Sequence, residues 1–204
     1  MNCTRARVTI GEGESEHMTC ICGIVKGGTV WLGGDSAATN GGNLDRTIIN
    51  DHKVFVRENV AFGVCGSPKV MDAIAHVLEL PVHQPNVSNR AYLVGELAPA
   101  MTNVLKKLDC VVVDPSYGTC FNGAMLIGYN GALYQMEGNF QLIQAARGYD
   151  SVGSGSPAAL GSLRSTRGWS NPRKRILEAL KVSSEENAGV APPFNVVHVK
   201  SITS

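Results

Sequence analysis

The chain has 204 residues, 44% of them hydrophobic and 17% charged, and its 18 basic and 17 acidic side chains leave a formal net charge of +1. That length suits one domain, or a domain with a tail, and a core of that size needs no disulfide or metal staple. The charge balance excludes a nucleic-acid binder that works through a broad basic surface. No apolar run approaches the roughly 18–20 residues needed to cross a bilayer, so a membrane protein is not expected.

Six cysteines are present: Cys3, Cys20, Cys22, Cys65, Cys110 and Cys120. The opening segment, MNCTRARVTIGEGESEHM, lacks the apolar stretch of about 7–15 residues that marks a secretory signal. A cytoplasmic setting is therefore expected, in which thiols stay reduced. There is no C-x-x-C pair, and the histidines are scattered, so neither a metal nor another cofactor is expected. Residues 1–18 read as a leader or propeptide, or as an extension ahead of a true start at Met18. Residues 19–204 read as the single domain.

The first elements are strands. TCICGIVK and TVWLGG read as a β-hairpin around Gly27-Gly28. Cys20, Cys22 and Ile24 then share one face, and Thr19, Ile21 and Gly23 the other. HKVFV and NVAFGVCG form a second hairpin around Arg57-Glu58. Ser67-Pro68 starts a helix, with Pro at its first position and Val70, Ile74, Val77 and Leu78 at helical spacing. A second helix is predicted from Ser88 to Leu108, with Leu93, Leu97, Met101, Val104, Leu105 and Leu108 as its stripe and Pro99 as a candidate kink. CVVVDPSYGTC reads as irregular, with a turn over 114–118.

FNGAMLIGYNGALYQMEG is a third hairpin, turning at Tyr129-Asn130-Gly131, with a short strand near 140–143 after it. A Gly/Ser loop over 153–156 leads into a helix of small residues. Pro172 to Glu186 is a last helix, and PPFNVVHVK a last strand. Strands and helices thus come in blocks, which favours antiparallel sheets carrying helix pairs over a parallel βαβ sheet. Two sheets face to face with a helix pair on each outer side give an α+β fold, a four-layer αββα sandwich.

Several short motifs add chemistry to that outline. The stretch TCICGIVKGGTVWLGGDSAAT opens on Thr19, turns at Gly-Gly and reaches Asp35-Ser36-Ala37-Ala38-Thr39 sixteen residues after Thr19. His52-Lys53-Val54-Phe55, Cys65-Gly66-Ser67 and the run Gly153-Ser154-Gly155-Ser156 follow in order. Taken singly, these residues have ordinary explanations. A Thr opening a strand is a β-branched strand residue, Asp35 a strand-end carboxylate, Lys53 a solvated strand lysine. The Gly/Ser loop lacks the Lys-Ser/Thr pair of a phosphate-binding loop. Their joint order and spacing resemble the proteasome β-type subunits, threonine peptidases of the N-terminal-nucleophile hydrolase superfamily.

That resemblance implies the αββα fold and a catalytic set of Thr19, Asp35, Lys53, Gly66 and Ser154. Thr39, Cys65 and Ser67 fall where the family lines its substrate pocket. It also implies self-assembly into rings and a peptide or unfolded-protein substrate, and it leaves room for an ATP-dependent unfoldase as partner, which the sequence itself does not announce. The family places an Asp and a Ser near the end of the last helix, in a pattern like Asp-x-x-Ser-Gly. The matching stretch here is Glu185-Glu186-Asn187-Ala188-Gly189, so Glu185 stands for the Asp and Ala188 has no hydroxyl.

The residues support this chemistry on their own terms. A Thr hydroxyl is a poor nucleophile without a base beside it. Cleavage of Met18–Thr19 would free an α-amine on the same residue, with a reference pKa of about 7.7–8.0 that leaves much of it neutral near pH 7. A lysine ammonium nearby favours the neutral amine. A buried lysine in turn needs a counter-charge, for which Asp35 is the candidate. The Gly66 N–H is the candidate donor to the developing oxyanion. Two other readings stay open: a small-amide amidohydrolase of the same superfamily, and a ring-forming scaffold whose site has decayed, to which Ala188 points.

Overall fold

The computed structural model describes residues 18–39 and 45–202. The proposed leader, apart from Met18, and Cys3 lie outside the described residues. Strands β1 (Ile21–Lys26), β2 (Thr29–Gly34), β12 (Tyr149–Val152) and β13 (Asn195–Lys200) form one antiparallel sheet in the order β12-β1-β2-β13. A second antiparallel sheet has the order β11-β10-β9-β6-β5. Its strands are β5 (Val54–Arg57), β6 (Val60–Gly66), β9 (Gly123–Tyr129), β10 (Ala132–Met136) and β11 (Leu142–Ile143). Two ribbons stand apart: β3 (Ala37–Thr39) with β4 (Arg46–Ile48), and β7 (Val111–Asp114) with β8 (Gly118–Phe121).

Three apolar layers define the sandwich. Ile21, Val30, Leu32, Val54, Ala61, Leu126 and Leu133 pack between the two sheets. Cys20, Cys22 and Ile24 pack outward with Leu163, Ile176 and Leu180, residues of α4 (Ser156–Ser165) and α5 (Pro172–Glu186). The opposite outer layer joins Phe62, Val64, Met125 and Ile127 to Val70, Ile74, Leu93, Leu97, Met101 and Leu105. The period-2 split of β1 is thus realised: odd residues face the other sheet and even residues face the helices. The architecture is the αββα sandwich.

Local signals explain most elements. Gly27 and Gly28 both have positive φ, as the two-residue hairpin turn requires. Asn171 caps α5 by accepting the Lys174 N–H at 3.0 Å, with Pro172 next in line. The helix after Ser67 runs as α1 (Pro68–Asp72) and then a π-helical turn, Ala73–Val77. That turn shifts the stripe, so Leu78 is buried while Val77 is exposed. A second π-helical turn, Leu93–Leu97, lies between α2 (Asn89–Tyr92) and α3 (Ala98–Lys107). Pro99 follows directly as the second residue of α3, so its missing N–H falls where π-type bonding gives way to α-type bonding.

The segment read as irregular, 110–120, is instead the β7–β8 ribbon around the expected turn, with Val112 and Val113 exposed. Strand β12, which the sequence patterning does not announce, pairs with β1 from Ile21↔Val152 to Ile24↔Tyr149.

Some of the glycines serve close packing of layers. A Cβ on Gly33 would stand 2.2 Å from Ile176 Cγ2, and one on Gly63 2.5 Å from Ile21 Cγ2. Gly33→Ala is expected to force α5 away from β2. Overpacking of this kind costs about 1–3 kcal/mol, a fall of about 2–10 °C in melting temperature. An unchanged thermal transition would contradict the packing described.

Candidate active site

The hairpin register builds the first half of the site. β1 and β2 pair from Lys26↔Thr29 to Ile21↔Gly34. One step further, Cys20 lies beside Asp35, and the Asp35 N–H donates to the Cys20 carbonyl at 3.3 Å. Asp35 therefore ends β2 next to the residue that precedes β1, and the sixteen-residue separation follows from a two-residue turn. The second half comes from the other sheet. Lys53 immediately precedes β5, and its carbonyl accepts the Val64 N–H at 2.9 Å, which fixes its backbone against β6.

The Lys53 ammonium, 7% exposed, meets three groups. It donates to Thr19 Oγ1 at 2.9 Å, to Asp35 at 3.1 and 3.2 Å, and to the Ala37 carbonyl at 2.5 Å. These use all three of its donors. Asp35, 1% exposed, also accepts the Cys20 N–H at 3.0 Å and the Ala37 N–H at 2.9 Å. A buried carboxylate is tolerable with an ion pair and hydrogen bonds of this number. Because Lys53 donates to Thr19 Oγ1, the threonine's own hydroxyl proton is left to point elsewhere.

The Gly/Ser loop closes on the backbone of Thr19. Thr19 N–H donates to Ser154 Oγ at 3.2 Å, and Gly155 N–H donates to the Thr19 carbonyl at 3.1 Å. The loop comes this near because Gly153 has no side chain: at its φ of +96° a Cβ would lie 2.2 Å from the Thr19 carbonyl oxygen. Thr19, Ala37, Ala38, Ile49, Lys53, Val64, Gly66, Ser67, Pro68 and Met71 line a shallow, open cleft. Among the described residues, Lys53, engaged with Asp35, is the one charged side chain that lines it.

The sequence-predicted residues divide as follows. Thr19, Asp35, Lys53 and Ser154 form one hydrogen-bonded cluster. Gly66, with φ +115°, and Ser67 line the cleft at the end of β6 and the start of α1. Thr39, buried at the end of β3, accepts the Met18 N–H at 3.1 Å. Cys65 is half-buried on β6, and burial pushes its thiol pKa up to about 11, against the lowering effect of Lys53. Glu185 is not brought to the cluster. Its exposed carboxylate lies on α5, 4.0 Å from Lys181 one turn back.

Sequence reasoning did not pick out Ala37, whose carbonyl takes the third lysine proton, nor Ile49 and Met71 in the cleft wall. It also missed Ser183, fully buried on α5, which donates to the Gly155 carbonyl at 3.0 Å. An inward serine on the apolar stripe of α5 was the available signal for that one. Cys20, Cys22, Cys65, Cys110 and Cys120 are free thiols. Among the described residues no group of three or more His, Cys, Asp or Glu side chains could hold a metal, and no helix is long and apolar enough to cross a membrane.

No protein-family model matches the sequence, and no curated protein sequence matches it. Solved structures match its fold. BPH from Thiobacillus denitrificans, in complex with epoxomicin, aligns with a TM-score of 0.74 at 14% identity, over 89% of this chain and 98% of that one. Eukaryotic HslV from Trypanosoma brucei aligns at 0.64 and 18% identity, over 89% and 99%. Anbu, described as an ancestral beta-subunit, from Yersinia bercovieri aligns at 0.63 and 15% identity, over 89% and 81%. With its two antiparallel sheets between helix pairs, the chain has the αββα sandwich fold of the N-terminal-nucleophile hydrolases.

Proposed function

We propose that the chain is a proteasome-like, threonine-type endopeptidase whose nucleophile is the hydroxyl of Thr19, exposed by removal of residues 1–18. The observation that carries this reading is the Lys53 ammonium 2.9 Å from Thr19 Oγ1 with Asp35 behind it. With the preceding peptide gone, the Thr19 nitrogen is an amine on the same residue as the hydroxyl. It takes the hydroxyl proton, directly or through one water, as Oγ1 attacks the peptide carbonyl. Ser154 Oγ, already 3.2 Å from that nitrogen, orients it. Lys53 stabilises the developing alkoxide, and the Gly66 N–H serves the oxyanion. The departing amine takes the proton, and water resolves the ester on Thr19.

The cleft wall extends this to substrate choice. Ala37, Ala38, Ile49, Val64 and Met71 suit an apolar side chain next to the scissile bond, and among the described residues the cleft lining offers no free counter-ion for a charged one. Assembly with copies of itself into rings, a cytoplasmic setting and feeding by an ATP-dependent unfoldase belong to the same proposal and rest on the resemblance in sequence.

Thr19→Ala is expected to lower hydrolysis of fluorogenic peptides to background, a loss of about 10³-fold or more, with the thermal transition preserved. Thr19→Ser should keep measurable turnover. Hydrolysis unchanged in Thr19→Ala would overturn the assignment. Epoxomicin, found in the Thiobacillus structure, is a direct probe and should inhibit the wild-type protein.

The apolar cleft gives a separate expectation. Peptides with a Leu- or Met-sized residue before the cleaved bond should exceed those with Lys or Asp by about 10-fold or more in kcat/KM. Met71→Glu should shift that order towards basic residues. Equal rates across these side chains would contradict the role given to the cleft.

A further inference from the structure

Met18, the residue ahead of the bond to be cut, is held at both its backbone and its side chain. Its N–H donates to Thr39 Oγ1 at 3.1 Å. Its side chain lies on Gly189: the three atoms nearest to a Cβ built there are Met18 Cβ, Cε and Cγ, at 2.2, 2.7 and 2.9 Å. Gly189 is itself fixed in the turn after α5, where its N–H donates to Asn187 Oδ1 at 3.0 Å and the Val190 N–H donates to the Asn187 carbonyl at 3.0 Å. Met18 thus sits between a hydroxyl at the end of β3 and a glycine behind α5.

We propose that Gly189 and Thr39 form a seat that aims the Met18 carbonyl at the Thr19 hydroxyl, so that Gly189 governs removal of residues 1–18 and not the later turnover of peptides. This rests on Thr19 being the nucleophile of the proposed function. In the step served, Thr19 Oγ1 bonds to the Met18 carbonyl carbon as the bond from that carbon to the Thr19 nitrogen breaks. The hydroxyl proton ends on the nitrogen, giving an ester and a free amine. One water then hydrolyses the ester, leaving a carboxylic acid on Met18 and restoring the hydroxyl.

The glycine is specific to this step on steric grounds. Met18 Cβ is the first side-chain atom, so its place is set by the backbone and no rotamer change moves it away. A methyl at 189 would push the Met18 backbone by about an ångström to reach ordinary contact distance. Misplacement of that size costs a positioned reaction on the order of 100-fold. Once residues 1–18 have left, the same methyl points into the space that Met18 vacated. Gly189 has no positive φ that would strain an alanine.

The test follows full-length protein by intact mass and measures peptide hydrolysis on protein whose Thr19 is exposed by cleavage of a removable fusion. Gly189→Ala should lose residues 1–18 about 10-fold or more slowly than wild type, while its exposed-Thr19 form hydrolyses peptides within about twofold of wild type and keeps its thermal transition. Met18→Gly combined with Gly189→Ala should return to the processing rate of Met18→Gly alone, which a general loss of structure would not allow. Equal processing rates in Gly189→Ala and wild type would overturn the seat. So would parallel loss of processing and of exposed-Thr19 hydrolysis. A wild-type chain that neither sheds residues 1–18 nor hydrolyses peptides with Thr19 exposed would instead overturn the nucleophile assignment, and the seat with it.

Discussion

The candidate site depends on a single ammonium group. Lys53 Nζ ties the two sheets together at the site: Thr19 and Asp35 flank strands of one and Lys53 precedes a strand of the other. Its three donors are matched by a hydroxyl, a carboxylate and a carbonyl, which compensates the charge at a depth where an unpaired one would be severely costly. The carboxylate has a double duty. By accepting the Cys20 and Ala37 N–H groups it ties down the ends of β1 and the entry to β3 while it neutralises the lysine. Fold and chemistry therefore share the same atoms. A one-residue slip of the β1–β2 pairing would turn Thr19 towards the helices and break both at once.

The hydroxyl missing at Ala188 raises the question of what supports the loop that holds Thr19. Ala188 contributes through its backbone, its carbonyl accepting from Arg46 at 3.2 Å, which anchors the turn after α5 to β4. The connection from α5 to the Gly/Ser loop runs through Ser183, whose hydroxyl holds the Gly155 carbonyl while the Gly155 N–H holds the Thr19 carbonyl. Ser151 adds a parallel tie by donating to the Ile21 carbonyl at 2.7 Å. The loop is thus fixed from the helix and from β1. The serine that fixes it sits on the buried face of α5, where burial of a hydroxyl is offset by its bond.

Much of this was legible in the sequence, because local rules and tertiary demands agree there. Gly27-Gly28 and Asn130-Gly131 dictate two-residue turns, and the turn dictates the register that pairs Asp35 with Cys20. The alternation in β1 and the stripe of α3 name the core faces directly. What escaped was set by partners far along the chain. Tyr149–Val152 is four residues beside glycines, and only its pairing with β1 makes it a strand. Val111–Asp114 keeps exposed valines that follow no buried alternation. Glu185 shares a motif position but not a direction, because the last turn of α5 carries it outward beside Lys181. Ile49 and Met71 reach the cleft from different elements, so no short spacing announces them.

On the proposed reading, the cleft handles two reactions that differ in one respect. While residues 1–18 are attached, the Thr19 nitrogen is a peptide N–H that donates to Ser154 and has no lone pair to lend. The first cleavage therefore shares the nucleophile, Lys53 and Asp35 with later turnover but lacks the α-amine as base. Without that base, what remains is orientation of the attacked carbonyl, which can supply several kcal/mol of a barrier when reacting atoms are held close. The groups that hold Met18, on β3 and after α5, lie outside the Lys53–Asp35 cluster. Division of labour follows from this: the cluster activates the hydroxyl for every substrate, while the elements flanking it orient the one substrate that is part of the chain.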